Sequence, residues 1–399
     1  MCMSTLDSGR VHARWIVTVA CLALSAGYAS TYAQQTFGTA SGEVVVETKA
    51  VGLEQPWSLA FLSGGRILVS ERPGRLRIVS PEGVLSPPVE GVPAVHAIAD
   101  RSPGLLDVAL DRGYAHNQTI YFCYVEPVDG GGRTAVARAR LVDGQRPRLD
   151  QLRTIFRAKG PAGVEVSFGC RLVQASDGNL FVTVGEFDHW PEAQNLRSHL
   201  GKVVRIDPDG FAPSDNPFRN RPDALPEIWS YGHRNPQGLA IHPGTGKLWS
   251  HEHGRRGGDE INIVEPGKNY GWPVIGYGTG YDGTKIHSGT HREGMEQPVK
   301  HWEPSIAPSG MAFYTGKLFP LWRNNLFIGA LAGRMLVRLE LDDEGGVVSE
   351  ERLLRELNER IRDVRQGPDG ALWLLTGNDA GRLLRVSPIS SFQTKGSPR

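Results

Sequence analysis

The sequence predicts an all-β fold, a six-bladed β-propeller of four-stranded antiparallel blades. Two observations carry this. One pattern, an apolar stretch, a turn of Gly, Asp, Pro or Ser, and a second apolar stretch ending in small polar residues, recurs six times along the 399 residues. Short strands in repeated sets, none able to bury its own faces, need neighbours on both sides and close into a ring. The 49 glycines and 27 prolines are spread between these runs rather than gathered in a tail, as a chain with many turns requires.

The six copies, in order, are PWSLAFLSGGRILVSE from Pro56, GLLDVALDRGYAHNQTIYFCY from Gly104, GCRLVQASDGNLFVTVGE from Gly169, QGLAIHPGTGKLWSHE from Gln237, SGMAFYTGKLFPLWRNNLFIGA from Ser309 and IRDVRQGPDGALWLLTG from Ile361. Most are followed by a third strand-like run, such as GRLRIVS from Gly74, GKVVRIDPDG from Gly201, EINIVEPG from Glu260, GRMLVRLELDDEGG from Gly333 and GRLLRVS from Gly381. The β-rich opening GEVVVETKAVGL from Gly42 is placed to complete the last blade and close the ring. Long loops at 211–226 and 276–298 are inserted in the middle of the chain; insertions on one face of a propeller build its binding surface. A pair of stacked sheets would leave six copies unexplained.

Residues 1–33 read as a signal peptide and residues 34–399 as a single propeller domain. Arg10, His12 and Arg14 form a basic start, 15–24 (WIVTVACLAL) a short apolar run, and Thr31-Tyr32-Ala33 a small-residue cleavage site, the order of an export signal. The apolar run is too short for a comfortable membrane span, and TVAC around Cys21 lacks the leucine of a lipoprotein site. Cleavage after Ala33 and a periplasmic or secreted protein are expected, with no membrane span in the mature chain.

A hydrophobic fraction of 40% and a charged fraction of 22% describe an ordinary globular protein. Without residues 1–33, which carry Arg10, Arg14 and Asp7, basic and acidic side chains balance. That excludes a nucleic-acid or polyanion surface, which needs a basic excess. Cys123 and Cys170 remain; they can pair in an oxidising compartment or stay as two buried thiols.

The stretch 231–273, YGHRNPQGLAIHPGTGKLWSHEHGRRGGDEINIVEPGKNYGWP, is the densest in polar groups among glycines. His233, Arg234 and Asn235 precede one strand pattern, and His253, Gly254, Arg255 and Arg256 follow the next. Loops between short strands are where a rigid β frame presents chemistry. Arginine forks suit carboxylates, and Gly-rich backbone turns its own polar groups onto a ligand. A small anion, with a cation beside it, fits this set.

Eight motifs in one order extend the reading: SERPGRLRIV from Ser70, GLLDVAL from Gly104, FGCRL with DGNLFVTVGE from Phe168, YGHRNPQGLA from Tyr231, EHGRRGGDEIN from Glu252, KNYGWP from Lys268, SGMAFY from Ser309 and RIRDVRQGPDG from Arg360. Through them the chain resembles, over nearly its whole mature length, the soluble quinoprotein sugar dehydrogenases, and in particular their aldose sugar dehydrogenase branch. Those are six-bladed propellers that bind pyrroloquinoline quinone (PQQ) and calcium. The resemblance implies an oxidoreductase in which a His takes the proton of the sugar C1 hydroxyl while hydride passes to the quinone, yielding a lactone, with a separate electron acceptor. It implies that Arg234 and Asn235 lie at the quinone, that Arg360 and Arg362 hold PQQ, and that the backbone carbonyls of Gly254 and Arg255 hold Ca²⁺. Arg255 stands where the family has Pro; a carbonyl ligand survives, but a cation beside Ca²⁺ is unfavourable.

Three further positions depart from the family pattern more seriously. Its catalytic His directly precedes Phe-Gly, where this chain has Ser167 in EVSFGCR; a hydroxyl is no base near neutral pH without a neighbour to accept its proton. The Gln of Gln-Gly-Gly-Leu-Leu-Asp is Ser102, and a Lys between Leu331 and Gly333 is Ala332. Glu165 reads either as a substitute base or as a solvated carboxylate. His233 and His253 read either as catalytic or as structural imidazoles, and Asp107, Asp259 and Glu260 equally as hydrogen-bonding residues of turns and blades. Three functions compete: a PQQ- and Ca²⁺-dependent aldose dehydrogenase, a propeller that kept the fold as a ligand- or protein-binding module after losing turnover, and a Ca²⁺-dependent lactonase. Motif order favours the first two, and the three lost side chains favour the second over the first.

Overall fold

The computed structural model describes residues 34–96, 104–163 and 167–389, and these lie within one compact unit, Ala33–Arg399. Six antiparallel sheets follow one another along the chain. Their first strands are Pro56–Phe61, Leu105–Leu110, Leu172–Gln174, Pro236–Ile241, Pro308–Phe313 and Ile361–Gln366. Each packs against the next, and the sixth packs against the first, so the six form the inner wall of a closed propeller. The expected six repeats are the six blades.

Burial explains why the second strand of a blade reads as an unbroken apolar run. Ile67–Glu71, Leu180–Val184, Leu248–Glu252 and Leu326–Ala330 are buried at every position, because blades cover both faces of the strand and leave no side for alternation to expose. Toward the rim alternation loosens and polar residues appear, as in Val347–Leu353 of the fifth blade. Two Asp-Gly turns show how the repeats punctuate themselves. Asp177 Oδ1 accepts the Asn179 amide at 2.9 Å and Asp369 Oδ1 the Ala371 amide at 3.2 Å, with Gly178 and Gly370 both at positive φ.

Among the described residues four blades have four strands, and the other two depart in opposite directions. The first has three, Pro56–Phe61, Ile67–Glu71 and Arg75–Val79, followed by a single bridge from Val79 to Leu85. Pro81, Pro87, Pro88 and Pro93 break the run where a fourth strand would lie, since proline cannot donate to a ladder. The sixth has five: Gly42–Glu54 pairs with Ala380–Pro388 in the register Val44↔Pro388 to Glu54↔Ala380, and Gln34–Thr39 adds outside it. The opening segment therefore closes the ring as expected. The loops at 211–226 and 276–298 carry no strand.

The axis is filled by charge. Asp107 from the second blade and Asp363 from the sixth both meet Arg171, at 3.2 and 3.0 Å, and both meet Arg365, each at 3.0 Å. Ser58 Oγ donates to Asp107 Oδ1 at 2.5 Å, and the Leu59 amide to Asp363 Oδ2 at 3.1 Å. Both carboxylates are fully buried. The first, second, third and sixth blades are thus tied at the centre, which answers the open reading of Asp107: it holds blades together. Cys123 and Cys170 are free buried thiols, with Cys123 Sγ donating to the Cys170 carbonyl at 3.3 Å.

Candidate active site

Antiparallel pairing brings the start of each first strand and the end of each second strand to the same face of the propeller, as in Pro236↔Glu252. Most of the residues singled out in the sequence sit at those ends. Ser167 lies just before the first strand of the third blade, and Arg234 and Asn235 directly before that of the fourth. Arg360 directly precedes, and Arg362 is the second residue of, that of the sixth. His253, Gly254 and Ala332 follow second strands. Ser102 and Glu165 lie outside the described residues.

A chain of contacts links them. The Gly169 amide donates to Asn235 Oδ1 at 2.8 Å, Gln237 Nε2 donates to the same oxygen at 3.0 Å, and Arg362 Nη1 donates to Gln237 Oε1 at 3.3 Å. Arg360 Nη1 donates to the Leu331 carbonyl at 3.2 Å, next to the exposed Ala332. The structure thus brings Asn235, Arg362 and the turn after Ser167 together, with Arg360 beside Ala332.

Arg72 belongs to this set, and sequence reasoning missed it although it lies in the SERPGRL motif. Burial and the neighbouring Arg360 push its guanidinium down to about 10. Burial drives Arg362 well down, with Arg72, Arg171 and Arg360 adding to the effect, and burial followed by Arg334 lowers Arg360. Arginines gathered so that one disfavours the charge of another form a cationic cluster that an anion relieves.

Arg234 is held from several sides. Its Nη1 donates to the carbonyls of His253 at 2.8 Å and Gly254 at 2.6 Å. Its guanidinium lies 5.4 Å from the centre of the Trp272 ring, and its backbone amide donates to Glu252. The Arg255 side chain turns away from this turn, pairing with Asp188 at 2.9 Å and lying 4.8 and 4.7 Å from the rings of Trp190 and Tyr281. The cation that replaces the family's Pro is therefore neutralised elsewhere.

Both histidines have structural work. His233 is fully buried, with Nδ1 3.0 Å from Glu252 Oε1, Nε2 2.9 Å from Ser230 Oγ and its ring stacked on Tyr270. His253 Nε2 lies 2.7 Å from the Pro308 carbonyl, which can only accept, so this nitrogen carries the proton. Burial pushes His253 down to about 4, against the nearby Asp259, so it is neutral at pH 7. Asp259 accepts the amides of Gly254, Ile306 and Ala307 at 2.7–2.8 Å and fixes the fourth blade to the fifth. Glu260 faces Glu252 across two strands, and burial followed by that second carboxylate raises it to about 8. Among the described residues no three His, Cys, Asp or Glu side chains are grouped to hold a metal.

Glu186 is the second residue that sequence reasoning passed over. It is fully buried, neither carboxylate oxygen makes a hydrogen bond of ordinary geometry, only the Asp188 backbone amide acts on it as a donor, weakly, and the ion-pair contact is to Arg234 Nε at 3.8 Å. Burial raises it to about 7. The backbone around it is unusual: Ser167, Phe187 and Asp188 all have positive φ, at 62°, 55° and 65°, and none is glycine. A Cβ at Gly185 would stand 1.7 Å from the Ser167 carbonyl oxygen, so glycine is required there for the two turns to touch. The Phe168 and Phe187 rings meet at 4.4 Å across the same contact. The signal in the sequence was the Glu that closes FVTVGE, like those closing ILVSE and LWSHE. Glu71 and Glu252 in those two strands have partners, Arg75 at 2.7 Å and His233 at 3.0 Å.

Comparison with known proteins matches residues 53–385 to the glucose/sorbosone dehydrogenase family. The chain is 44% identical over 353 residues to the aldose sugar dehydrogenase YliI of Escherichia coli, covering 88% of this chain and 94% of that one. The crystal structure of the soluble aldose sugar dehydrogenase from Escherichia coli in the apo-form superposes with a TM-score of 0.83 at 44% identity, covering 87% of this chain and 100% of that one. The PQQ-bound aldose sugar dehydrogenase of Streptomyces coelicolor superposes with a TM-score of 0.69 at 29% identity, covering 86% and 98%.

Proposed function

Because the chain belongs to the glucose/sorbosone dehydrogenase family, we propose that it is an exported, PQQ-dependent dehydrogenase that oxidises the C1 hydroxyl of an aldose to a lactone. The observation that carries this is the cluster of Arg72, Arg360 and Arg362, in which Arg360 bears on both of the others and Arg72 on Arg362, while Arg360 and Arg362 donate to neutral acceptors. Such a cluster suits a ligand with several carboxylates, and PQQ has three. Bound PQQ supplies a quinone that accepts hydride. Arg360 and Arg362 would hold its carboxylates and Arg234 and Asn235 would serve the quinone, with the Trp272 ring backing the Arg234 guanidinium.

Calcium is proposed at the carbonyls of Gly254 and Arg255. The donor type suits it, since Ca²⁺ takes oxygen ligands, and the Gly254 carbonyl already faces a cation, the Arg234 guanidinium. Ca²⁺ there requires that guanidinium to release the oxygen.

Export is proposed on the signal-like residues 1–33, with residues 34–399 as the mature single-domain protein. Among the described residues no helix is long and apolar enough to cross a membrane. N-terminal sequencing of protein recovered outside the cytoplasm should begin at Gln34, and an intact Met1 in the cytoplasm overturns export.

A second reading, a propeller that binds its ligand without turning it over, is favoured by Ser167 in the position of the family's His. One experiment separates the two. Purified protein is given PQQ and Ca²⁺, the quinone absorption is recorded, and its reduction by a panel of aldoses is followed. Binding with reduction supports the dehydrogenase, binding without reduction supports the module, and no binding overturns the PQQ site.

A further inference from the structure

A carboxylate that is fully buried without a well-formed hydrogen bond is costly to keep, and such a group calls for an explanation, a role at a working site being one. Glu186 is such a group. The glutamates at the corresponding places of the first and fourth blades, Glu71 and Glu252, are engaged by Arg75 and His233, whereas neither Glu186 oxygen makes a hydrogen bond of ordinary geometry and Arg234 Nε stays 3.8 Å away. Glu186 lies on the Gly185 turn that touches Ser167, the position that should carry a base and does not. We propose that Glu186 is the proton acceptor for the sugar C1 hydroxyl, taking over from the imidazole that Ser167 replaces. This rests on the PQQ-dependent dehydrogenase reading above.

The chemistry balances with the cofactor already named. The sugar O1–H bond breaks and its proton ends on a Glu186 oxygen, the C1–H bond breaks with its hydrogen and both electrons leaving as hydride for the quinone, and the C1–O1 bond becomes a carbonyl. A serine hydroxyl fills much less space than an imidazole, and the difference is enough for a water molecule that carries the proton from O1 to the buried carboxylate. The charged groups around Glu186 are Arg234 on the fourth blade, Asp188 on its own turn, and Arg255, which is tied to Asp188. With burial dominating this balance, Glu186 titrates near 7, where a general base is most effective at neutral pH. The left-handed Ser167, Phe187 and Asp188 keep the two turns in contact, as backbone strain does at working sites.

The test uses the full chain and reads the carboxyl group before it reads turnover. Infrared titration of the protein alone, as the difference between wild type and Glu186→Gln, should show one buried carboxylic acid ionising near 7; a group ionising in the ordinary carboxylate range overturns the proposal. With PQQ and Ca²⁺ added, quinone absorption should be the same in both proteins, while kcat for aldose oxidation falls by about a hundredfold or more in Glu186→Gln. Wild-type kcat should rise with pH through about 7, and that limb should vanish in the variant. Should Glu186→Gln not fold, Glu186→Asp keeps the carboxylate and should retain a displaced limb. Wild type that binds PQQ and oxidises sugar equally well without Glu186 overturns this proposal alone, whereas wild type that binds no PQQ overturns the function on which it rests.

Discussion

Arg234 Nη1 lies 2.6 Å from the carbonyl oxygen of Gly254, so a guanidinium occupies the oxygen assigned to calcium. A hydrogen bond from a charged donor contributes about 1.5–3 kcal/mol, and a cation entering this turn must replace it. Ca²⁺ should therefore bind the protein without PQQ roughly 10- to 100-fold more tightly in Arg234→Gln than in wild type. Calorimetric titration with CaCl₂ checks this. Equal or weaker binding in the variant shows that calcium does not use the Gly254 carbonyl.

The axial network makes a prediction about stability. Arg171 is buried between Asp107 and Asp363 and lies 4.1 Å from the centre of the Trp57 ring. Removing one partner from a buried ionic set costs about 3–5 kcal/mol, because the remaining charges lose compensation. Arg171→Met leaves both carboxylates to Arg365 and should lower unfolding free energy by about that amount in denaturant titration at pH 7. A loss below about 1 kcal/mol means that Arg365 alone satisfies the pair.

A third prediction follows from the sign of the Glu186 shift. The folded protein holds this proton up to about 7, while the unfolded chain releases it near 4.5. Between those values the folded state binds the extra proton, so this contribution to stability is full below about 4.5 and is lost as pH rises through about 7. Glu186→Gln does not titrate. It should match wild type near pH 4 and be more stable by roughly 3 kcal/mol at pH 8, read by thermal or denaturant unfolding at the two pH values. A variant less stable than wild type at pH 8 shows that the carboxylate has a structural partner.

The parts of this molecule that were legible in the sequence are the ones that local pattern determines. The first five blades are each written in one stretch and the sixth in two, so the runs from Pro56 to Ile361 gave six blades, and the apolar run from Gly42 gave the closing strand. The prolines from Pro81 to Pro93 also stand in the sequence, and they account for the missing fourth strand of the first blade. The site was half legible. Arg234, Asn235, Arg360 and Arg362 stood out as arginines and an amide in motifs; contacts link Asn235 to Arg362 through Gln237, while Arg360 rests on the Leu331 carbonyl and Arg234 on those of His253 and Gly254. Arg72 and Glu186 did not stand out, because their environment is made by other blades: Arg72 is set by Arg360, and Glu186 by Arg234 and the Ser167 turn. A glutamate at the end of a buried strand looks the same whether a partner waits for it, as for Glu71 and Glu252, or not.

The last prediction concerns the position that departs most from the family. Ser167→His places an imidazole on a turn that already touches Gly185, next to Glu186. General-base catalysis contributes about a hundred- to ten-thousand-fold, and a base in direct contact with the substrate should exceed one acting through water, so aldose oxidation should rise. The rise should stay at the low end of that range. Ser102 and Ala332 also lack the Gln and Lys side chains of the family pattern, so the sugar and quinone are less well positioned even with the base restored. Adding Ser102→Gln and Ala332→Lys should recover more of the rate. Glu186→Gln should cost much less in the Ser167→His background than in wild type, because the imidazole then takes the proton and the carboxylate only orients it. PQQ-dependent dye reduction with glucose and other aldoses, across wild type, the two single variants, their double and the triple, measures each term. If Glu186→Gln costs the same in both backgrounds, the two side chains act independently, and the exchange of roles between position 167 and Glu186 is wrong.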